Sequence, residues 1–170
     1  DRAKQGTTSG KRQAFRCVMS DAAIPYDFIR NAGKSGEMGR KLIAIAAKGK
    51  SGRAYSEPLL EHEQIAESVH PNWKPDTKLS GKARVNVSNY GIDTFGDLFT
   101  ERQLEALSTF IDLVPEARSL IEQHALNAGM SSDSKPLREG GKGARAYGEA
   151  VSVYLGFAVN RSVDRGSSIC

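Results

Sequence analysis

The stretch that most limits how this chain folds begins at Tyr90-Gly91-Ile92-Asp93-Thr94-Phe95-Gly96-Asp97-Leu98-Phe99-Thr100 and continues into a helical pattern. Gln103 stands three residues after Thr100, the arrangement of a capping box. The hydroxyl accepts the Gln103 N–H, and the glutamine side chain reaches back to the cap. Phe99 just before the cap and Leu104 just inside have the spacing of a hydrophobic staple. Leu104, Leu107, Ile111, Val114, Ala117 or Arg118, Ile121 and Ala125 recur at steps of three and four, so one face is apolar. Pro115 falls inside the pattern. It lacks an N–H and its ring clashes with the preceding turn, which predicts a kink near Ile111–Asp112 or two abutting helices. Asp93, Asp97 and Glu101 read as capping and dipole chemistry. Nothing here is reactive by spacing, so function has to come from elsewhere.

The remaining elements follow from local signals. Residues 1–13 read as a flexible basic arm. Ala14–Val18 alternates like a short strand, Asp21–Pro25 reads as a turn, and Tyr26–Asn31 as a short helix ended by Gly33. Lys34–Gly39 is a link. Arg40–Lys48 reads as a strand that turns at 48–52 and returns through Arg53-Ala54-Tyr55, although Ala44, Ala46 and Ala47 would equally suit a helix. Ser56 is placed to cap the next helix, with Pro58 in its first turn and Pro71 as its stop. Residues 70–84 form a long basic loop, and Val85-Asn86-Val87-Ser88 alternates like a strand. Asn127–Gly143 is a second loop. Ala144–Asp164 is a second long helix, closed by Arg165-Gly166, with Tyr147, Ala150, Val151, Tyr154, Ala158 and Arg161 on one face. The fold class expected is α+β: a small N-terminal β-rich part with short helices, then a mainly helical part with two long helices, the first kinked near Pro115.

A chain of 170 residues buries one core, or one and a half. Its longest apolar run, Leu42–Ala47, is too short to span a membrane, and no secretory signal opens it. No membrane partner is expected, and a cytoplasmic location is. The chain opens at Asp1 and stops at Ile169-Cys170 directly after a helix, as an excerpt of a longer protein would. Cys17 and Cys170 make no disulfide framework. A net charge of +4 and a pI near 9.1 permit nucleic-acid contact without requiring it.

Chemistry is sparse. Cys17-Val18-Met19-Ser20 has the spacing of half a zinc knuckle, with Ser20 where a second cysteine would stand. His62, His70 and His124 are scattered, so no metal site is expected. Lys48-Gly49-Lys50-Ser51-Gly52 and Gly140-Gly141-Lys142-Gly143 lack the full phosphate-loop spacing and read as flexible surface loops whose lysines can touch a nucleic-acid backbone. Trp73 and Tyr55 among Lys74, Lys78, Lys82 and Arg53 suit a stacking patch, against the plainer reading that Trp73 pins a loop to the core. The candidate nucleic-acid contacts are Lys48, Lys50, Arg53, Trp73, Lys74, Lys78, Lys82 and Arg84. There is no Gly-x-Ser-x-Gly, no ordered Ser/His/Asp set, no Asp-Pro-Pro-Tyr or Asn-Pro-Pro-Tyr, and no glycine-rich cofactor loop. No catalytic or cofactor-binding residue is assigned.

Phe15-Arg16-Cys17-Val18-Met19-Ser20-Asp21-Ala22-Ala23-Ile24-Pro25-Tyr26-Asp27-Phe28-Ile29-Arg30 and Gly33-Lys34-Ser35-Gly36-Glu37-Met38-Gly39 resemble the zinc-ribbon-like region of large bacterial and archaeal adenine-specific DNA methylases. Tyr90–Leu104 looks like the same family's most recognisable internal segment. Ala146-Tyr147-Gly148-Glu149-Ala150-Val151, running on to Asp164–Cys170, is similar to its next helix and the start of the following motif. The resemblance covers most of residues 14–170. It implies a parent that moves a methyl group from S-adenosylmethionine to adenine N6 in DNA. This segment would lie between the parent's cofactor loop and its Pro-Pro-Tyr motif, inactive alone and without a cofactor of its own. The ribbon cysteines are reduced here to Cys17, so no metal is carried over. The organisation implied is an arm over 1–13, a degenerate ribbon-like β-rich subdomain over 14–56 and a mainly helical subdomain over 57–170 packed on it. Implied partners are the parent's catalytic domain and, weakly, DNA. Two readings follow: a DNA-facing accessory region, or a structural insert that packs through the apolar faces of its two long helices.

Overall fold

Short antiparallel pairings and two long helices make up the α+β fold of the computed structural model, which describes residues 6–8 and 14–168. The expected arm therefore lies mostly outside the described residues, and within them Thr8 bridges to Phe15. Internal contacts divide the chain into two units, Asp1–Ile65 with Pro75–Asp97, and Ala66–Lys74 with Leu98–Cys170.

In the first unit, Phe15–Arg16 (β1) pairs antiparallel with Ala23–Ile24 (β2), Phe15 opposite Ile24. The turn lies earlier than Asp21–Pro25. It is closed by the Cys17 N–H donating to the Ala22 carbonyl (2.9 Å), with Asp21 in the left-handed region at φ 56°. Phe15 meets Tyr26 edge-on at 5.5 Å, at the start of helix α1 (Tyr26–Lys34). Gly33 does not end this helix. It allows close approach instead, because a Cβ there would overlap the Tyr90 carbonyl, and a Cβ at Gly91 would overlap the Gly33 carbonyl. Gly91 has φ +81°, so two glycines meet back to back where no side chain fits.

Ile45–Gly49 (β3) and Gly52–Ser56 (β4) form the expected hairpin, but the strand starts at Ile45 rather than Arg40. Helix α2 (Leu60–Glu67) is not capped by Ser56, which ends β4. The Leu59 N–H donates instead to His62 Nδ1 at 3.0 Å, a cap offered from inside the helix.

The long loop holds over 70–80 but ends at Gly81, and the strand at Val85–Ser88 is overturned. Gly81–Val87 is helix α3, continued by a 3₁₀ turn over Ser88–Tyr90. The segment on either side is pinned like a clasp. Lys78 bridges Thr94, the Leu79 N–H donates to the Asp93 carbonyl, and the Phe95 N–H donates to the Thr77 carbonyl, both at 2.9 Å. Asp97 Oδ2 accepts from the N–H groups of Asp93 and Thr94 and from the Thr94 hydroxyl. Val85 and Val87 alternate by coincidence with a tether that is not local.

In the second unit, helix α4 (Glu101–Asn127) carries the capping box: Gln103 N–H to Thr100 Oγ1 at 3.3 Å, and Thr100 N–H to Gln103 Oε1 at 2.7 Å. It runs unbroken across Pro115, so there are not two abutting helices. Gly129, at φ +89°, ends it in a Schellman motif: the Met130 N–H donates to the Ala125 carbonyl and the Gly129 N–H to the Leu126 carbonyl. Helix α5 (Ala144–Arg165) returns antiparallel, with Ser168 N–H on the Leu98 carbonyl at 2.7 Å and Gly148 against Arg118. On α4 the expected stripe is buried or half-buried except Ile111, which is exposed. On α5 the face is rotated from the expected one. Of that face Tyr147, Tyr154, Ala158 and Arg161 are exposed and Ala150 and Val151 half-buried, while Ala144 and Gly148 are buried and Ser152, Leu155 and Val159 half-buried. Helices close this tightly only over small residues, so the aromatic stripe is turned outward.

Candidate nucleic-acid interface

The eight candidate contacts are divided between the two units. Lys48, Lys50, Arg53, Lys78, Lys82 and Arg84 belong to the first unit, Trp73 and Lys74 to the second. Lys82 and Arg84 ride on helix α3, not on a loop. Lys78 is fixed by the bridge to Thr94. Trp73 is 61% exposed and does not pin a loop to the core.

The β3–β4 hairpin gathers three of the basic groups in defined register. Its cross-strand pairs are Ile45–Ser56, Ala46–Tyr55, Ala47–Ala54, Lys48–Arg53 and Gly49–Gly52, with Lys50 and Ser51 in the turn. Side chains alternate between faces, so Ala46, Lys48, Arg53 and Tyr55 share one face. The other carries Ile45, Ala47, Gly49, Gly52, Ala54 and Ser56. Lys48, Arg53 and Tyr55 are all exposed, Tyr55 by 68%. No ion pair found among the described residues involves Lys48, Lys50 or Arg53.

The remaining polar chemistry is structural. Hydrogen bonds from the Ser20 hydroxyl and then from the Ser20 and Met19 N–H groups hold the Cys17 thiol below its usual pKa. The residue in the second knuckle position thus serves the first as a donor. Among the described residues, no group of three or more His, Cys, Asp or Glu is placed to hold a metal. Gly140–Gly143 is not a flexible loop in the sense expected. Gly141 and Gly143 are buried, and a Cβ on either would strike the backbone of Lys135 or Ser131. The loop is held by Glu149, a node that reading the sequence missed. Its Oε2 accepts the Leu137 N–H at 2.7 Å, and its Oε1 faces Arg145 Nε at 3.2 Å and Arg118 Nη2 at 3.4 Å. Arg145 also donates to the Ser134 carbonyl at 2.8 Å. The Leu137 N–H first, then the two arginines, keep the Glu149 carboxyl below its ordinary pKa against the opposing effect of desolvation. The i, i+4 spacing of Arg145 and Glu149 was the available signal.

An apolar groove also runs between α4 and α5, floored by Val114, Ala117 and Leu155 and walled by Phe110, Leu113 and Ala158. Comparison of the chain with protein-family models, curated proteins and solved structures finds no match.

Proposed function

We propose that this chain is an accessory segment of an S-adenosylmethionine-dependent adenine-N6 DNA methyltransferase, without catalytic groups of its own, which presents a basic surface to DNA. The resemblance, over most of residues 14–170, supports the activity of the parent, and the cofactor belongs to the parent. The observation that carries a DNA-facing role is the hairpin, whose Lys48, Lys50 and Arg53 stand exposed without a carboxylate partner among the described residues. Such groups release counterions from a phosphate backbone on contact. The test is the reading frame on either side of the chain. A glycine-rich strand–loop ahead of residue 1 and an Asp/Asn-Pro-Pro-Tyr element behind residue 170 are expected, and a frame holding neither overturns the proposal. The purified chain is expected to transfer no labelled methyl group from S-adenosylmethionine to adenine-containing duplex, and incorporation would overturn its accessory role.

The groove between α4 and α5 favours a second reading, a structural insert that packs on the catalytic domain without touching DNA. Large apolar side chains that line it, Phe110 (52%) and Leu113 (45%), are exposed, as a docking face would be. Binding of an apolar dye by a chain that shifts no DNA at low salt supports this reading over the first.

A further inference from the structure

The geometry points to one face of the β3–β4 hairpin, built from Lys48, Arg53 and Tyr55, as the surface that meets the phosphate backbone of duplex DNA. This rests on the DNA-facing reading above and narrows it from two basic segments to one ribbon face. Three observations converge. First, Lys48 and Arg53 are directly opposed across the ladder. Like charges in that position work against the hairpin, where an acid on either strand would support it. Second, neither residue is offset by a carboxylate elsewhere among the described residues, and both are exposed. The repulsion is left standing in the protein, and a polyanion relieves it. Third, the same face continues to Tyr55, paired with Ala46 and 68% exposed. A phenol there donates to a phosphate oxygen or lies against a sugar, as tyrosines at such interfaces do. The small opposite face and the Lys50-Ser51 turn leave the tip slim. A two-stranded ribbon of this kind fits against duplex DNA, whose major groove admits such a ribbon. The contacts are to phosphate, so binding is expected to be independent of sequence.

The experiment uses the purified 170-residue chain and a fluorescent 20-base-pair duplex, followed by anisotropy across a salt series. Affinity is expected to fall with salt for the unaltered chain. K48A/R53A is expected to lower the magnitude of the log–log slope by about 0.9 for each contact removed, alike on unrelated sequences. K48R/R53K, which keeps both charges, is expected to hold the slope. The decisive variant is Lys48→Glu. It makes an opposite-charge pair with Arg53, so the melting temperature is expected to hold or rise while duplex affinity falls. Parallel loss of melting temperature and affinity would make these charges structural and overturn the assignment. A slope untouched by K48A/R53A, with binding retained, also overturns it but leaves the DNA-facing reading standing on the other basic residues. No binding of duplex at low salt overturns both the ribbon assignment and the DNA-facing reading, and leaves the packing reading and the flanking-sequence test unaffected.

Discussion

At the scale of single residues, backbone access and one carboxylate do most of the holding. Glu149 ties the Leu137 N–H to two arginines from different helices. Its pKa in the fold is lowered, so the unfolded chain binds its proton more tightly than the folded one. The stability it contributes is therefore complete above the ordinary glutamate range and is lost as pH falls through the depressed folded value. Thermal melting of the unaltered chain is expected to fall more steeply below that range than melting of Glu149→Gln. Equal acid sensitivity of the two would show that the carboxylate is not the linked group. Gly33 offers a second test. A Cβ there would collide with the Tyr90 carbonyl, whereas one at Gly39 meets nothing within 4 Å. Gly33→Ala is expected to cost roughly 1–3 kcal/mol, the range for overpacking, and Gly39→Ala to be close to neutral in urea unfolding. Similar midpoints for the two would mean that the 3₁₀ turn yields.

At the scale of elements, what was legible from sequence is what is encoded locally. Thr100 and Gln103 are three residues apart and satisfy each other, so the start of α4 was read to the residue. Thr100→Ala is expected to cost about 1 kcal/mol, and Gln103→Ala less. A loss confined to Gln103→Ala would invert the roles of the two bonds. The hairpin of β3 and β4 was also legible from its turn. Two of the misreadings share a cause, which is that the deciding contact lies far off in sequence. Val85 and Val87 looked like a strand because the clasp from Thr77 to Phe95, which sets α3 between its ends, has no local signature. On α5, Tyr147, Tyr154 and Ala158 fit a helical stripe as well as Gly148, Ser152, Leu155 and Val159 do. Only the nearness of Arg118 to Gly148 selects the second set. Seven of the eight candidate contacts were identifiable as basic residues, but the register of those on the hairpin was not. That Lys48 faces Arg53 depends on which residues fill the turn.

At the scale of the whole molecule, the hydrophobic side is thin. The buried apolar residues among those described are Ala32, Leu79, Leu104, Ala125, Ala144 and Ala146, of which only two are large. Leu104 is 5% exposed, so Leu104→Ala is expected to cost about 2–5 kcal/mol, the range for buried leucines. The exposed apolar residues of the α4–α5 pair predict the opposite. Phe157 is 64% exposed and Leu113 45%, so Phe157→Ser and Leu113→Ser remove little that folding has buried. Each is expected to shift stability by no more than about 0.5 kcal/mol, the usual range for surface sites. Both are expected to reduce the binding of an apolar dye, because they take apolar surface from the same helix pair. The comparison is made at two protein concentrations differing by about tenfold. A loss of about 2 kcal/mol or more in Phe157→Ser, growing with concentration, would mean that the side chain is covered in solution by a second copy. A loss of that size at every concentration would mean that α5 is packed more deeply than its exposure allows, and this side of the helix pair would then be part of the core rather than a face open to a partner.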